Sequence, residues 1–365
     1  MKINLLHVTF DMHIGGTEQV IKNLVEATDK TRFKISILCI ESPVGPFGEM
    51  LSNKGYQIDA LSRKKGFDVN LVFEIRKYII KHKIDVLHCH QYTPWVYGAL
   101  ASIMTDTKVI FTEHGRFYPD RSSWKRKYIN PVLVKLTDHI TAISKATKQA
   151  LVDYEYIPAS KIKVIYNGIS ELEYDTTVTR ELRNKLSISD ETLILGTISR
   201  LDPIKNHRLL ISSFARIQQN NPDIILLIVG DGDIRSDLEK LVHQLSISDR
   251  VIFTGFQANP VDYLQLMDIF LLPSLSEGTA MTLLEAISLS KACIVTNVGG
   301  NPEIIQDKVS GLVTISNDEN MLVSACDLLI KDSKLRKTLG DAGRRRFEQK
   351  FTVQCMLGHY QEIYQ

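Results

Sequence analysis

Residues 269–289, with the sequence IFLLPSLSEGTAMTLLEAISL, decide the fold class of this chain. The apolar run Ile269–Leu272 predicts a buried strand that ends at Pro273, and the apolar periodicity from Thr282 onward predicts a helix. A loop of mostly small residues joins the two. Strand–loop–helix units of this kind build parallel sheets with helices on both faces, so we expect an α/β protein.

Two carboxylates, Glu277 and Glu285, bracket this loop. The N-terminus of the expected helix presents backbone N–H groups, which bind phosphate well, and Glu285 follows within about 10 Å. This span suits a nucleotide sugar, with Glu277 on sugar hydroxyls and Glu285 on the ribose diol. An ordinary loop with two solvated acids fits the same spacing. The candidate donor-binding residues between the carboxylates are Gly278, Thr279, Ala280, Met281 and Thr282.

The alternation of apolar runs and amphipathic stretches extends along the 365 residues. It predicts two Rossmann-like, doubly wound domains that face each other across a cleft, residues 1–170 and residues 192–350. The polar, acidic residues 171–191 lack a strong periodicity and are interpreted as the linker. Ligands in such sheets bind beyond the carboxyl ends of the strands. The predicted strands are 3–10, 34–40, 58–61, 85–90, 108–113, 139–143, 163–166, 193–198, 224–229, 251–254, 269–272, 293–296 and 312–314.

Composition narrows the class of protein and its compartment. The chain is 44% hydrophobic and 24% charged, which permits full cores, and its net charge of +2 gives no general signal for nucleic-acid binding. The five cysteines are scattered without a CxxC pair, so we expect no disulfide framework and a cytoplasmic location. No run of about 20 apolar residues predicts a membrane span. Any membrane contact is expected to be peripheral, on the inner face of the plasma membrane.

Several short motifs follow predicted strands in a fixed order, and together they carry a family resemblance. This ordered set resembles the retaining glycosyltransferases of family 4, which have the GT-B fold of two Rossmann-like domains. The resemblance implies that a last helix, residues 351–365, returns to the first domain. The motifs are Gly15-Gly16-Thr17-Glu18, Phe111-Thr112-Glu113-His114, residues 197–206 (TISRLDPIKN), Val229-Gly230-Asp231-Gly232, the segment between the two glutamates, and residues 298–303 (VGGNPE).

The resemblance also implies roles for residues of the first domain. The loop of Gly15 and Gly16 would lie near the donor diphosphate, and Glu18 and Arg116 would face the acceptor. Glu18 also suits the first turn of a helix for its charge alone. His114 would lie near the reacting end of the sugar. In the second domain, Gly230 would shape the loop that binds the nucleotide base.

Two cations, Arg200 and Lys205, follow the first strand of the second half. When a nucleoside diphosphate leaves a sugar, negative charge develops on its β-phosphate, and cations aimed there stabilise the transition state. The catalytic candidates are therefore Arg200, Lys205, Glu277 and His114. Solvated surface charge is the alternative interpretation of the two cations.

Two motifs raise the question of a metal. His88 and His90 lie on one face of a predicted strand, but no third ligand is evident at nearby spacing. Asp231-Gly232-Asp233 contains a D-x-D triplet, which holds a divalent metal in another glycosyltransferase fold. Here it lies between a strand and a helix, where Asp233 is a natural N-cap. We expect metal-independent catalysis and no cofactor.

The resulting prediction is a retaining glycosyltransferase that moves a sugar from a nucleotide-diphosphate donor, with UDP the expected nucleotide from family frequency. The expected acceptor is a hydroxyl of a glycan or lipid-linked intermediate in bacterial surface-polysaccharide biosynthesis. The alternatives are a nucleotide-sugar epimerase of the GT-B type, a phosphorylase, and a non-catalytic sugar-binding subunit. The basic, aromatic residues 116–128 suit an anionic membrane surface and equally a solvated helix.

Overall fold

The strands of the described chain form two parallel sheets, one of seven strands and one of six. The computed structural model describes residues 2–115 and 123–365. Two compact units divide the chain. The first comprises Met1–Ser170 and Thr352–Gln365, and the second comprises Glu171–Phe351.

The sheet of the first unit has the order β3-β2-β1-β4-β5-β6-β7, and every pairing is parallel. The direction of winding reverses between β1 and β4, which is where doubly wound sheets leave room for ligands at the carboxyl ends of their strands. The strands are β1 (Ile3–Thr9), β2 (Phe33–Cys39), β3 (Gln57–Ala60), β4 (Val86–His90), β5 (Lys108–Glu113), β6 (His139–Ala142) and β7 (Ile162–Val164).

Helices cover both faces of this sheet, because each buries an apolar stripe. On one face, Leu6, Val8, Leu87 and Phe111 pack into a fully apolar core. The helices of this unit are α1 (Gly16–Ala27), α2 (Pro46–Asn53), α3 (Val69–His82), α4 (Tyr92–Ala101), α5 (Arg126–Lys135), α6 (Lys145–Glu155) and the last helix, α15 (Val353–Tyr364), with a 3₁₀ turn at Ala159–Lys161.

The second unit repeats the plan with the order β10-β9-β8-β11-β12-β13, again parallel throughout. Its strands are β8 (Leu193–Ile198), β9 (Ile224–Val229), β10 (Val251–Gly255), β11 (Ile269–Leu272), β12 (Ala292–Thr296) and β13 (Leu312–Thr314). Its helices are α7 (Thr176–Lys185), α8 (His207–Asn220), α9 (Arg235–Gln244), α10 (Val261–Leu266), α11 (Met281–Ser288), α12 (Asn301–Ile304), α13 (Glu319–Lys331) and α14 (Ser333–Lys350), with a 3₁₀ turn at Pro203–Lys205.

The segment interpreted as a linker is not irregular throughout. Residues 171–191 contain α7, whose first turn is capped by Asp175 through a 2.7 Å bond from the N–H of Thr177. None of the side chains of α7 is buried, which explains why the sequence shows no strong apolar periodicity there.

The last helix belongs to the first unit. It begins after Thr352, whose hydroxyl caps the helix by accepting from the N–H of Cys355. The N–H of Val353 donates to the carbonyl of Ile169 over 2.8 Å, and this bond ties the start of the helix to the end of the first stretch of the unit.

Candidate functional site

The loop that follows β11 holds Glu277 in a defined position. Its side chain is 7% exposed, and one carboxylate oxygen, Oε1, accepts from Nζ of Lys205 and from Oγ of Ser274, each over 2.7 Å. Ser274 is fully buried, and its carbonyl accepts from the hydroxyl of Thr296. Both contacts use the same oxygen, so the second oxygen of Glu277 can accept from a ligand hydroxyl.

Lys205 reaches Glu277 because two loops are joined through their backbones. Asp202 caps the 3₁₀ turn by accepting from the N–H of Ile204 over 2.9 Å. The carbonyl of Ile204 in turn accepts from the N–H of Leu275 over 2.7 Å. The turn that carries Lys205 is therefore anchored to the loop that carries Glu277, which limits the freedom of the ammonium group.

Arg200 lies apart from this ion pair. Its side chain is 75% exposed and its guanidinium bonds to the carboxylate of Asp202 over 2.7 Å. Of the two predicted cations, the structure thus brings only Lys205 into contact with Glu277. Arg200 is placed as an exposed side chain of the same loop.

The N-terminus of α11 follows Glu277 directly, as the sequence predicts. Ala280 is the N-cap residue and supplies no side-chain hydrogen bond to the first turn. The loop is supported from the side by Gly299, which has φ +50° and lies so close to the carbonyl of Glu277 that an added Cβ would stand 1.7 Å from that oxygen. The N–H of Gly300 donates to the carbonyl of Gly278 over 3.1 Å. Glycine at position 299 is therefore a requirement of this loop.

Glu285 differs from Glu277 in its surroundings. It lies in the second turn of α11, and burial raises the pKa of its carboxyl from 4.5 to about 7. Among the described residues no cation forms an ion pair with it. A carboxyl in this state can ionise at little cost when a ligand donates hydrogen bonds to it.

The loop after β9 is held together by its own residues. Gly230, at φ +135°, packs against the carbonyl of Ser199, where an added Cβ would come within 2.0 Å. Asp231 accepts from the N–H of Gly232 and from Nη1 of Arg235, each over 2.8 Å. The prediction that Asp233 caps the next helix is wrong, because α9 begins at Arg235 after a turn and has no side-chain cap.

In the first unit, α1 begins directly after the loop of Gly15 and Gly16. Gly15 is its N-cap residue, and the backbone there is extended, with φ −160°. Glu18 lies in the first turn, where burial raises the pKa of its carboxyl to about 7 against the opposing effect of its hydrogen bond with its own backbone. Glu18 is therefore a partly protonated group near neutral pH. Arg116, the other acceptor candidate, lies outside the described residues.

His114 follows β5 and ends a row of imidazoles. Its Nε2 lies 2.8 Å from Nδ1 of His90, and Nε2 of His90 lies 2.9 Å from Nδ1 of His7. Burial lowers the pKa of both His114 and His7 to about 3. The sequence drew attention to His88 and His90 on β4 but not to His7. His7 joins them because β1 pairs with β4, with His7 opposite His88.

A metal could in principle use His7, His88 and His90, whose ligand atoms lie within 4.8 Å of one another. In the structure their nitrogens are engaged otherwise. His88 uses both ring nitrogens, on the hydroxyl of Tyr364 at 2.8 Å and on the hydroxyl of Thr112 at 2.7 Å. The arrangement is that of a hydrogen-bonded polar layer between the sheet and α15.

Two family models match successive parts of the chain. The model described as "Glycosyltransferase Family 4" matches residues 14–171, and the model described as "Glycosyl transferases group 1" matches residues 178–346. The chain belongs to the family 4 glycosyltransferases. The family predicted from the ordered motifs is confirmed, and this member of family 4 is a transferase.

Curated relatives of this glycosyltransferase extend over nearly its whole length. One is the UDP-Gal:alpha-D-GlcNAc-diphosphoundecaprenol alpha-1,3-galactosyltransferase of Escherichia coli, 25% identical, with 100% of this chain and 97% of the relative covered. Another is the N-acetyl-alpha-D-glucosaminyl L-malate synthase of Bacillus anthracis, 27% identical, with 91% of this chain and 97% of the relative covered.

Solved structures show the same architecture. A glycosyltransferase from Rickettsia africae superposes with a TM-score of 0.89 at 21% identity, covering 100% of this chain and 98% of its own. HepE from Anabaena, solved in complex with UDP, superposes with a TM-score of 0.86 at 21% identity, covering 100% and 99%. The predicted GT-B fold of two Rossmann-like domains is confirmed by this likeness and by the two parallel sheets.

Two residues of the candidate site could not be identified from the sequence. Ser274 gives no signal by type, because serine is common in loops, and only its place three residues before Glu277 could have drawn attention to it. His7 lies 83 residues before His90, so spacing along one strand does not reveal it.

Within the described residues no helix is long and apolar enough to cross a bilayer.

Proposed function

We propose that this family 4 glycosyltransferase transfers a sugar from a nucleoside-diphosphate donor, with UDP as the nucleotide, to a hydroxyl of a glycan or lipid-linked acceptor, and that the anomeric configuration is retained. The observation that carries the proposal is the joining of Lys205 and Ser274 to one oxygen of a nearly buried Glu277, directly before the N-terminus of α11. The structure of HepE with UDP supports the choice of nucleotide.

The donor-binding half of the proposal assigns a separate contact to each group of the second unit. Ala280, the N-cap residue of α11, offers no capping side chain, and the N-terminus of this helix suits the diphosphate, since a helix N-terminus favours negative charge. Lys205 is a point charge for the β-phosphate, and Glu277 accepts from sugar hydroxyls through its second oxygen. Glu285 accepts from the ribose diol. Gly278, Thr279, Met281 and Thr282 bring their backbone to this ligand.

The chemical step requires no covalent intermediate on the protein. The bond from the anomeric carbon to the β-phosphate oxygen breaks with its electron pair going to the phosphate. The acceptor oxygen bonds to the anomeric carbon on the same face, and its proton passes to the leaving phosphate oxygen. Lys205 stabilises the charge that develops on this phosphate, an interaction stronger in the transition state than in the ground state. Glu277 is held through Oε1 by Lys205 and Ser274, and we assign its second oxygen to the sugar hydroxyls as a binding group.

The first unit is assigned to the acceptor and to the reacting end of the sugar. Glu18, with its raised pKa, and the neutral imidazole of His114 are both suited to hydrogen bonds with hydroxyl groups. The name of the Escherichia coli relative contains a diphosphoundecaprenol acceptor. This supports a lipid-linked acceptor in polysaccharide biosynthesis for the present chain.

An exposed stripe on the first unit supports peripheral contact with an anionic membrane. Trp124, Tyr128 and Val132 recur every four residues along and just before α5, with exposed fractions of 71%, 68% and 55%. Lys125 and Lys127 are exposed beside them. Aromatic and basic side chains on one helix suit the boundary between lipid headgroups and acyl chains.

The test is a transfer assay with UDP-galactose, UDP-glucose and their N-acetyl forms, using N-acetylglucosamine-diphosphoundecaprenol as acceptor. Proton NMR of the product should show the same anomeric configuration as the donor. A product of inverted configuration would contradict the proposed mechanism. Conversion of the donor sugar without any acceptor would indicate an epimerase, and binding of the donor without turnover would indicate a non-catalytic subunit.

A further inference from the structure

A continuous row of three imidazoles crosses the first sheet from its interior to the end of β5. The row follows three neighbouring strands of the sheet. His7 lies on β1, His90 lies on β4, and His114 directly follows β5. Two hydrogen bonds join them, from His7 Nδ1 to His90 Nε2 at 2.9 Å and from His90 Nδ1 to His114 Nε2 at 2.8 Å. Sequence reasoning assigned a role only to His114, so the purpose of the other two imidazoles is open.

This polar row is unusual for the interior of a sheet. Buried polar groups carry a cost unless they are paired, and buried histidines lose solvation whenever they are charged. The same face of the sheet is polar along four neighbouring strands, whereas the opposite face is apolar. The fully buried polar residues of this face are His7, Thr9, His88, His90, Thr112 and Thr141.

The three rings are neutral at physiological pH. Burial lowers the pKa of His7 and of His114 to about 3, and burial together with the neighbouring imidazoles holds the pKa of His90 well below its ordinary value of 6.5. A neutral imidazole carries one N–H and one bare nitrogen, so each ring donates once and accepts once.

Only two proton patterns then satisfy both hydrogen bonds. If His90 carries its proton on Nδ1, it donates to His114 and accepts from His7, and all three rings carry the proton on Nδ1. If His90 carries its proton on Nε2, both bonds reverse, and all three rings carry the proton on Nε2. A mixed pattern would place two protons, or none, between a pair of nitrogens. The three tautomers are therefore coupled.

The two ends of the row are not tied to any group that would select one pattern. Nε2 of His7 is buried and has no hydrogen-bond partner among the described residues, and the same holds for Nδ1 of His114. Nδ1 of His114 is consequently a donor in one pattern and an acceptor in the other. Nδ1 of His114 is covered in this structure, so a ligand hydroxyl reaches it only when the covering groups move. A hydroxyl that does so can select either pattern, because a hydroxyl both donates and accepts.

We propose that His7 and His90 are positioning residues for His114 and that the three rings change tautomer together. Nδ1 of His114 then donates to the sugar hydroxyl in one pattern and accepts from it in the other. This inference rests on the proposed function, in which His114 meets the reacting sugar. His90 holds the ring plane of His114, and His7 completes the hydrogen bonding of His90.

His88 supplies an internal control. It lies on the same strand and the same buried face, but its ring nitrogens bond to the hydroxyls of Tyr364 and Thr112. Hydroxyl groups rotate and can donate or accept, so the tautomer of His88 is not bound to that of the other three rings.

The direct test is ¹⁵N NMR of the histidine rings in the full chain, labelled on histidine, with and without UDP and a UDP-sugar. The expected result is one shared tautomer for His7, His90 and His114 in each state, with any change occurring in all three together. Different tautomers within the row, or a change confined to His114, would overturn the coupling.

Kinetics test the positioning role separately. His7→Phe, which leaves His90 without its partner, should lower kcat about tenfold with little change in donor KM, because misplacement of a group at the reacting end acts on turnover. His7→Asn, which keeps a polar atom near the position of Nδ1, should recover most of kcat. His88→Asn is the matched control and should keep kcat near that of the parent chain.

The outcomes of these experiments are distinct. Unchanged kcat in a folded His7→Phe variant would overturn the positioning role while leaving glycosyl transfer intact. Failure of the proposed function would instead appear as absence of turnover by the parent chain, whatever the tautomers of its rings. If His7→Phe does not fold, the ¹⁵N NMR experiment on the parent chain still decides the question, because the proposal fails if the three rings do not share one tautomer.

Discussion

The two units place different kinds of polar group at the carboxyl ends of their sheets. The second unit holds an ion pair, with Glu277 bonded to Lys205 and Ser274. The first unit holds groups that are neutral or only partly charged near pH 7, namely the imidazole of His114 and the carboxyl of Glu18. The same fold, used twice in one chain, therefore carries an ion pair in one copy and neutral groups that can donate or accept hydrogen bonds in the other.

This difference matches the chemistry assigned to each unit. A diphosphate is always charged, so a fixed cation and a helix N-terminus are suitable partners. A hydroxyl carries no charge and can both donate and accept, so neutral groups that do the same are suitable partners. Glu285 is the exception in the second unit, because its carboxyl is desolvated and forms no ion pair with any residue that the structure describes. This agrees with its assignment to the hydroxyls of the ribose.

The largest effect is expected at the ion pair. Lys205→Ala should lower kcat about 100- to 1,000-fold, since it removes charge stabilisation from the leaving phosphate, while UDP affinity falls less. Steady-state kinetics and calorimetric titration with UDP measure the two quantities. Lys240→Ala, an exposed lysine of the same unit, is the control. A loss of affinity with kcat unchanged would mean that Lys205 contributes only ground-state binding.

A smaller effect is expected at the desolvated carboxylate. Glu285→Ala should weaken UDP binding about tenfold, because two charge-assisted hydrogen bonds to the ribose are lost. In the parent chain the affinity should also fall as the pH is lowered below about 7, where the carboxyl becomes protonated. Calorimetry between pH 5.5 and 8 checks both statements. Affinity that is independent of pH and of the substitution would remove Glu285 from the donor site.

Glu285 should also affect stability without any ligand. Its folded-state pKa of about 7 lies above the ordinary value of 4.5. The contribution of this carboxyl to the free energy of unfolding is therefore full below pH 4.5 and is lost as the pH rises through 7. Glu285→Gln should therefore stabilise the protein at pH 8 by on the order of 2 kcal/mol and leave it unchanged near pH 4. Urea unfolding at the two pH values measures this, with the exposed Glu74→Gln as control. Equal effects at both pH values would contradict the assignment.

The smallest effect is expected from metal removal. EDTA should leave turnover unchanged, because the D-x-D carboxylate of Asp231 is already bonded to the N–H of Gly232 and to Arg235. The measurement is the transfer rate after dialysis against EDTA, with and without added Mg²⁺ or Mn²⁺. Activity that disappears and returns with metal would revive Asp231 and Asp233 as ligands.

Much of the fold could be predicted from the sequence, because buried parallel strands are apolar runs with polar ends. The observed bounds of five strands agree with the prediction, and the other predicted strands lie within two residues of the observed ones. The five are Lys108–Glu113, Leu193–Ile198, Ile224–Val229, Ile269–Leu272 and Leu312–Thr314. Helix α7 was missed because it buries no side chain and so leaves no apolar period. The cap at Asp233 was misplaced because a turn from Gly232 to Arg235 delays the start of α9.

The candidate site was predictable where a motif is continuous in sequence and not where it is assembled across strands. Glu277, the loop after it and the helix that carries Glu285 follow one another, so their relation could be inferred from helix geometry alone. The pairing of Glu277 with Lys205, 72 residues away, depends on how β8 and β11 lie side by side. The same is true of His7, whose contact with His90 exists only because β1 pairs with β4.

The central claim is that the second unit binds a nucleoside diphosphate through the loop and helix from Glu277 to Glu285. Thermal unfolding with UDP, GDP, ADP and CDP tests it most directly, since a ligand that binds the folded state raises Tm. The account predicts a clear rise with UDP that is reduced in Glu285→Ala and kept in Glu74→Gln. No rise with any of the four nucleotides, or a rise with UDP that Glu285→Ala leaves unchanged, would contradict it.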